Sequence, residues 1–158
     1  MKTLAGNKRA HFDYFLTEKT EAGLSLQGWE VKSARAGNVN LGDSFIFFEQ
    51  SQTPTGRTTT RCFLKNAHFS PYEYGEVKNQ DVRRNRQLLL NAPQIRKLYE
   101  AVRQKGFTCI ATKLYLNKAG LLKLEIALAK GKQNYDKRQT LKERDLNREA
   151  ERALRSKE

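Results

Sequence analysis

Hydrophobic and polar side chains alternate over much of the first 128 residues, which predicts strands more often than helices. Residues 12–28 show two alternating stretches on either side of Gly23, so we expect a hairpin there. Residues 45–48 and 61–67 have the apolar character of further strands. Residues 51–60 contain proline and glycine among serines and threonines, which predicts an exposed loop.

A second hairpin is predicted near the end of the alternating region. Residues 107–116 are rich in strand-forming side chains, residues 117–120 suit a turn, and residues 121–128 return. Every second residue of the returning strand is apolar: Leu122, Leu124, Ile126 and Leu128. Lys123 is therefore expected on the opposite face of the sheet.

Two helices are predicted between the strands. Asn91 can cap the longer one, Pro93 suits its first turn, and Gly106 can end it. Its buried stripe has helical spacing: Ile95, Leu98, Tyr99 and Val102. A shorter helix is expected over residues 29–36. Many strands with inserted helices predict a mainly β fold, a small closed barrel of the kind that grips looped or single-stranded RNA.

The composition changes after Ala129, so we divide the chain into a domain of residues 1–130 and a tail of residues 131–158. The tail has few large apolar side chains: Tyr135, Leu141, Leu146 and Leu154. It cannot bury a core and is expected to be disordered when free. A capping box of Thr140 and Glu143, followed by one apolar face, predicts that it becomes helical when something covers that face.

The net positive charge of the chain indicates a polyanionic partner. Thirty Lys and Arg against 17 Asp and Glu leave a net charge of +13. Residues 1–130 contribute +10 of this excess and the tail +3. By charge alone, RNA, DNA and an anionic membrane surface all fit. A basic cluster, Arg83-Arg84-Asn85-Arg86, favours phosphate contact by the folded part.

Other features restrict the class of protein. No apolar run approaches the roughly 18 residues of a membrane span, and no secretory signal pattern is seen at the start, so we expect a cytoplasmic protein without membrane contact. Cys62 and Cys109 have neither zinc-site spacing nor a disulfide framework and are interpreted as buried apolar residues. We predict no metal and no cofactor. Nothing in the spacing of acids, histidines and cysteines supports an enzyme.

Several stretches resemble one family in order along nearly the whole chain. They are Asn7-Lys8-Arg9-Ala10, Glu21-Ala22-Gly23, Gly28-Trp29-Glu30-Val31-Lys32-Ser33, Arg35-Ala36-Gly37-Asn38-Val39-Asn40-Leu41, Arg86-Gln87-Leu88-Leu89-Leu90, Ala129-Lys130-Gly131-Lys132 and Asp136-Lys137-Arg138. This pattern resembles the SsrA-binding proteins, also called small protein B. One departure is His11-Phe12, where the family has an Arg-His pair. A histidine contact at position 12 is thus in doubt, although Phe12 could still stack on a base.

The resemblance implies an oligonucleotide-binding (OB)-type barrel that binds the transfer-RNA-like domain of transfer-messenger RNA (tmRNA). It further implies delivery of that RNA to stalled bacterial 70S ribosomes for trans-translation, with the tail entering the decoding centre and the vacant messenger channel. We expect a monomer when the protein is free. The alternative left open is a constitutive ribosomal or ribosome-assembly protein of the same barrel type.

The resemblance also implies the contact residues. The family's RNA-binding positions fall on Glu30, Leu90 and Lys123. From the residues alone, Glu30 suits the start of a helix, Leu90 suits either a core position or an apolar contact to an unstacked base, and Lys123 suits a phosphate contact. Further RNA contacts are expected at Asn7, Lys8, Arg9, Lys32, Arg35, Asn38, Arg83, Arg84, Arg86 and Lys130. The ribosome-engaging residues of the tail are expected to be Gly131, Lys132, Tyr135, Asp136, Lys137, Arg138, Lys142, Arg144 and Leu154.

Overall fold

The computed structural model describes residues 1–72, 80–104 and 106–156, apart from the side chains of residues 134 and 135. In chain order its elements are β1 (Lys2–Gly6), α1 (Lys8–Asp13), β2 (Tyr14–Leu24), α2 (Gly28–Arg35), β3 (Val39–Asn40), β4 (Phe45–Gln52), β5 (Thr58–Lys65), β6 (His68–Phe69), β7 (Arg86–Leu89), α3 (Ala92–Arg103), β8 (Phe107–Leu116), β9 (Leu122–Gly131) and α4 (Asn134–Ser156). The predicted mainly β class with inserted helices is confirmed.

Seven strands form one antiparallel sheet in the order β1-β8-β9-β2-β7-β5-β4, and β3 pairs with β6 separately. The sheet curves until β4 lies near the first half of β8. Within the described residues no ladder joins β4 to β8, so the sheet is open. The predicted closed barrel is therefore not confirmed. Alternation along a strand specifies which face is buried, but it carries no information on whether the two edge strands pair.

The main core lies on one face of this sheet. Leu124 and Ile126 are fully buried and Leu128 nearly so, which confirms the predicted apolar face of β9. Trp29 of α2 and Leu98 of α3 pack into the same cluster. Burial of each such large side chain contributes about 1.5–3 kcal/mol. These contacts hold both helices against the sheet.

The two predicted helices form because their termini are capped. The Asn91 side chain accepts the Gln94 N–H at 3.0 Å, and the Gln94 side chain accepts the Asn91 N–H at 3.2 Å. At the start of α2, Glu30 accepts the Gln27 N–H at 2.8 Å. The predicted bounds of 91–106 and 29–36 agree with α3 and α2 to within a few residues.

The predicted hairpin over residues 12–28 is wrong. Phe12 lies in α1, and residues 14–24 form the single strand β2, with an irregularity between Thr17 and Thr20. Gly23 does not make a turn. A Cβ on Gly23 would approach the Leu89 Cβ to 3.2 Å, so its small size serves the close packing of β2 on β7. Alternation over a few residues does not distinguish a short helix from a strand.

The loop predicted over residues 51–60 is shorter than expected. β4 continues to Gln52 and β5 starts at Thr58, with both strands in continuous register from Phe45–Lys65 to Gln52–Thr58. The turn is closed by the Thr53 side chain and by Gly56, whose φ is +83°. Threonine and serine therefore belong to the strands here, where β-branched side chains are favoured.

The tail is helical in this structure, as α4. Thr140 lies inside that helix and its hydroxyl donates to the Asp136 carbonyl at 3.0 Å, so the capping box predicted at Thr140 is wrong. The structure thus contains the helical form, and the disorder of the free tail stays a prediction. None of the described helices is long and apolar enough to cross a membrane.

Candidate RNA interface

A groove of about 310 Å³ opens where β2, α2, β7 and the β8–β9 turn meet. Its apolar walls include Leu89 and Leu121, both 57% exposed. Arg35 and Lys123 bring two of the predicted cations into the same groove. The remaining lining residues are Gly23, Leu24, Leu26, Val31, Gly120 and Leu122. Exposed apolar side chains beside cations suit an unstacked base and its phosphate.

Lys123 lies on the sheet face opposite to the core, as predicted. It is directly across from Gly23 on β2 and from Tyr115 on β8. Because Gly23 carries no side chain, nothing from that position covers the lysine. The adjacent turn is well ordered by hydrogen bonding: the Asn117 side chain accepts the N–H groups of Ala119 at 3.0 Å and Leu121 at 2.9 Å. The turn therefore fixes one wall of the groove.

Glu30 is fully buried. Its Oε1 accepts from Arg84 Nη2 at 2.5 Å as well as from the Gln27 N–H, and its Oε2 accepts from Arg86 Nε. This burial is at odds with the predicted direct contact of Glu30 with RNA, because both ion pairs would first have to open. In this structure Glu30 is a positioning residue that holds the basic cluster against α2.

Arg86 is the second predicted contact that the structure buries. Its guanidinium stacks on Phe69 at 3.9 Å and donates to the carbonyls of Ala67 at 3.0 Å and Val82 at 3.1 Å. Burial lowers the pKa of Arg86, and the hydrogen bond to Glu30 opposes that shift. The surface of the cluster is formed instead by Arg83, which is exposed, and by Arg84, whose side chain keeps 30% of its exposure.

Asn7 is the third. Its side chain donates to the carbonyls of Leu41 at 3.1 Å and Ala111 at 2.8 Å and accepts the Ala10 N–H at 3.1 Å. Asn7 is thus the buried N-cap of α1, tied to β8. The signal for this was present in the sequence, since asparagine before a short helix is a preferred cap. The basic residues Lys8 and Arg9, which follow Asn7, instead favoured a surface contact.

The other predicted contacts of the folded part are accessible. Those classed as exposed are Lys8, Arg9, Lys32, Arg35, Asn38, Arg83 and Lys130. Arg9 already pairs with Asp43 at 2.9 Å and with Asp13 at 3.5 Å. Lys32 lies 5.2 Å above the Tyr72 ring. These cations keep surface available for phosphates.

The apolar contact predicted at Leu90 has a better candidate in its neighbour. Leu90 is half-buried and packs against the main core, whereas Leu89 projects into the groove. Residues 88–90 are all leucine, so the sequence alone does not show which of them faces the core. The register resolves it, because Leu89 is directly opposite Gly23 on the outer face.

The tail starts from a second site, the tail base, which we define as residues 131–140 together with α1. Lys132 holds it by three hydrogen bonds: its N–H donates to the Asp13 carbonyl at 2.8 Å, and its ammonium donates to the His11 carbonyl at 3.1 Å and to the Thr140 hydroxyl at 2.8 Å. An ion pair joins Lys137 to Asp13 at 3.5 Å. The first turns of α4 are therefore bound to α1.

Phe12 also belongs to the tail base. Its ring centroid lies 6.0 Å from Lys137 Nζ and 6.0 Å from the guanidinium of Arg144. The departure from the family pattern at this position thus puts an aromatic ring beneath two tail cations, an arrangement that is attractive at this distance.

Beyond the tail base α4 is open to solvent. The exposed members of the predicted set are Gly131, Arg138, Lys142, Arg144 and Leu154, while Lys132, Asp136 and Lys137 are half-buried. Leu146 and Leu154, which belong to the predicted apolar face, are 64% and 68% exposed. The predicted stacking by Tyr135 concerns a side chain that lies outside the described residues.

The two cysteines have no surface role in this structure. Both are fully buried, and burial raises the pKa of Cys62 to about 11 and that of Cys109 to about 12. Thiols with such pKa values stay protonated near neutral pH and are poor nucleophiles. Within the described parts of the chain, no cluster of three or more His, Cys, Asp or Glu is placed to hold a metal.

Comparison with known proteins identifies the family. The family described as SmpB protein matches residues 4–156. The chain belongs to the SmpB protein family. The SsrA-binding protein of Pelobacter propionicus is 47% identical over 156 residues, 99% of this chain and 96% of the relative. That of Bacillus subtilis is 47% identical over 154 residues, 98% of this chain and 92% of the relative.

A solved structure, described as "tmRNA-SmpB: a journey to the center of the bacterial ribosome", is similar with a TM-score of 0.64 and 41% identity, over 82% of this chain and 85% of that chain. In this SmpB family member, two of the predicted residues, Arg35 and Lys123, line the groove, and another two, Lys132 and Lys137, bind the tail base to α1. A third group is buried and positions the others: Asn7, Glu30 and Arg86.

Proposed function

We propose that this chain binds tmRNA, the SsrA RNA, and delivers it to stalled ribosomes for trans-translation. The groove is the observation that supports this most directly: it sets exposed leucines beside Arg35 and Lys123. It does so in a chain 47% identical over 99% of its length to an SsrA-binding protein. That name favours this function over the constitutive ribosomal protein considered above. The protein acts in the cytoplasm, as a binding factor and not as an enzyme.

The chemistry of the groove suits looped RNA. Exposed leucines can hold a base that has left its stack, and the cations at the rim can neutralise the phosphates beside it. The looped part of the transfer-RNA-like domain is the region with such bases. Glu30 does not line the groove; it holds Arg84 at the surface by an ion pair outside it.

We infer an OB-type architecture for the folded part. An OB fold is a partly open barrel, and the curved sheet with β4 near β8 agrees with that description. OB folds bind nucleic acid on the outer surface of their strands and with the loops between them. The groove at the end of β2 and at the β8–β9 turn is such a position.

The tail carries the ribosomal part of the proposal. α4 presents exposed cations and three exposed leucines on a helix whose start is bound to α1. A helix with these properties can follow an RNA-walled channel, with cations against phosphates and leucines against ribosomal surface. We propose that it enters the decoding centre and the vacant messenger channel.

The first prediction tests the groove. Lys123→Ala should weaken the binding of full-length tmRNA and reduce the slope of log K against log salt by about 0.7–0.9, because one phosphate contact is lost. Binding is measured by fluorescence anisotropy with labelled tmRNA at several salt concentrations. The matched control is Lys97→Ala on α3, whose lysine has a side chain 71% exposed and pairs with Glu18 at 3.5 Å.

The control variant should bind like the unmodified protein. An unchanged affinity in Lys123→Ala, or an equal loss in both variants, would mean that the groove is not the RNA site and that only the overall charge matters.

A further inference from the structure

The outer face of the β4–β5 hairpin exposes an aromatic pair that has no part in the core. Phe47 and Phe63 lie directly opposite each other in the register. Phe47 is 40% exposed and Phe63 is half-buried. The opposite face of the same two strands supplies the core with Ile46 and Leu64. The fold therefore does not need Phe47 to fill its interior.

Cations stand beside this pair. Lys65 Nζ lies 3.9 Å from the centroid of the Phe47 ring, and Phe47 keeps its exposure with that lysine in place. Arg61 is exposed on the same face, where it is opposite Glu49 in the register. Exposed aromatic rings interleaved with cations are the composition of surfaces that bind single-stranded nucleic acid, in which bases stack and phosphates meet the charges.

This aromatic face is continuous with the groove across the sheet. Phe63 is opposite Gln87 on β7. Two residues further along β7, Leu89 pairs with Gly23 of β2. Gly23 in turn pairs with Lys123 of β9. All these side chains lie on the outer face, since residues two apart on a strand share a face. Four strand spacings of about 4.8 Å put Phe47 roughly 19 Å from Lys123. OB folds cover about 4–16 nucleotides, a longer path than this.

We propose that a single-stranded segment of the bound RNA continues from the groove over this face, with an unpaired base stacked on Phe47 and with Lys65 and Arg61 at its phosphates. The proposal rests on the function proposed above and adds a second contact region to it. A protein partner fits less well. Phe47 is the one large apolar side chain above one-third exposure in the described hairpin, and protein interfaces of standard size bury about 800 Å² per partner.

The second prediction tests this platform with full-length protein and labelled tmRNA. Phe47→Leu keeps an apolar side chain but removes the ring, and it should weaken binding about fivefold or more. Phe47→Trp keeps a stacking surface and should bind as well as the unmodified protein. Lys65→Ala should lower the salt slope by about 0.7, whereas Phe47→Leu should leave it unchanged.

The matched control is Tyr99→Leu on α3. This change also removes a ring that lies beside a cation (5.6 Å to Arg103), but on the core side of the hairpin. It should not alter RNA affinity. Thermal unfolding of each variant establishes that the folded fraction is the same at the assay temperature. If Phe47→Leu does not fold, Phe47→Trp and Lys65→Ala are compared instead. The platform then requires that the salt slope of Lys65→Ala is lower than that of Phe47→Trp by about 0.7.

Three results would overturn the platform. Unchanged tmRNA affinity in Phe47→Leu, with loss in Lys123→Ala, would refute it and leave the proposed function intact. Normal tmRNA affinity but weaker binding to purified ribosomes would assign the face to a ribosomal partner instead. Normal affinity in both Phe47→Leu and Lys123→Ala would refute the platform and the groove alike, whereas the absence of tmRNA binding by the unmodified protein would refute the proposed function.

Discussion

Buried charge is the main finding at the scale of single residues. Glu30 and Arg86 are both fully buried and paired, with Arg84 completing the cluster at the surface. Such a pair is costly to desolvate, and the loss of one partner leaves the other charge uncompensated in the interior. Substitutions at Glu30 should therefore act on the fold first and on RNA binding through it.

The third prediction follows from this pairing. Glu30→Gln should lower the free energy of unfolding by about 3–5 kcal/mol, because Arg86 stays buried without its counter-ion. Urea unfolding followed by circular dichroism measures the change. Glu49→Gln, an exposed carboxyl group on β4, is the control and should change stability by less than about 0.5 kcal/mol. Unchanged stability with reduced tmRNA affinity would instead support a direct contact of Glu30 with RNA.

At the scale of elements, α4 is the unusual part of the molecule. Its first turns are bound to α1, while Leu146 and Leu154 further along have no cover in the described structure. Most helical stability in proteins comes from packing of an apolar face, so this helix depends on its base until a partner covers it. The attachment to α1 is therefore what sets the direction in which the tail leaves the domain.

The fourth prediction concerns that attachment. Asp13→Asn removes the ion pair with Lys137, and amide hydrogen exchange of residues 137–140 should become up to about fivefold faster, as expected for a partly exposed pair of about 1 kcal/mol. Asp43→Asn removes another carboxylate that pairs with Arg9, and it should leave this exchange unchanged. Equal exchange in Asp13→Asn and the unmodified protein would show that the pair does not hold α4.

At the scale of the whole molecule, we propose that the groove and the tail have separate functions. Residues 1–130 contribute +10 to the net charge and contain the groove, while the tail contributes +3. Affinity for a polyanion should therefore belong to the folded part. The tail, with nearly balanced charge and exposed leucines, is suited to a shaped channel more than to general attraction.

The fifth prediction is that a chain ending at Lys130 binds tmRNA within a few-fold of the full-length affinity but does not support tagging on stalled ribosomes. The loss arises because no segment is left for the messenger channel, while the groove is intact. Anisotropy with labelled tmRNA and a reconstituted tagging reaction give the two readouts. Equal loss of binding and tagging would refute the division between groove and tail.

Local chemistry in the sequence determined a large part of this picture. Caps and helical spacing specified α2 and α3, alternation specified the core face of β9, and charge counting assigned the positive excess to the folded part. The family resemblance, now confirmed, came from short motifs that are visible without any structure. Each of these signals depends on neighbours within a few residues, which a sequence displays directly.

Tertiary structure alone decided which charged residues are buried and which edges remain open. Glu30 and Arg86 are 56 positions apart, and Asn7 bonds to a carbonyl 104 positions away, so their burial depends on partners that are distant in the chain. The same holds for Leu89, whose outward direction follows from its register with Gly23, and for the edges of β1 and β4, which pair with no further strand among the described residues. Burial and pairing are properties of residues that are distant in the chain, and only the folded sheet brings them together.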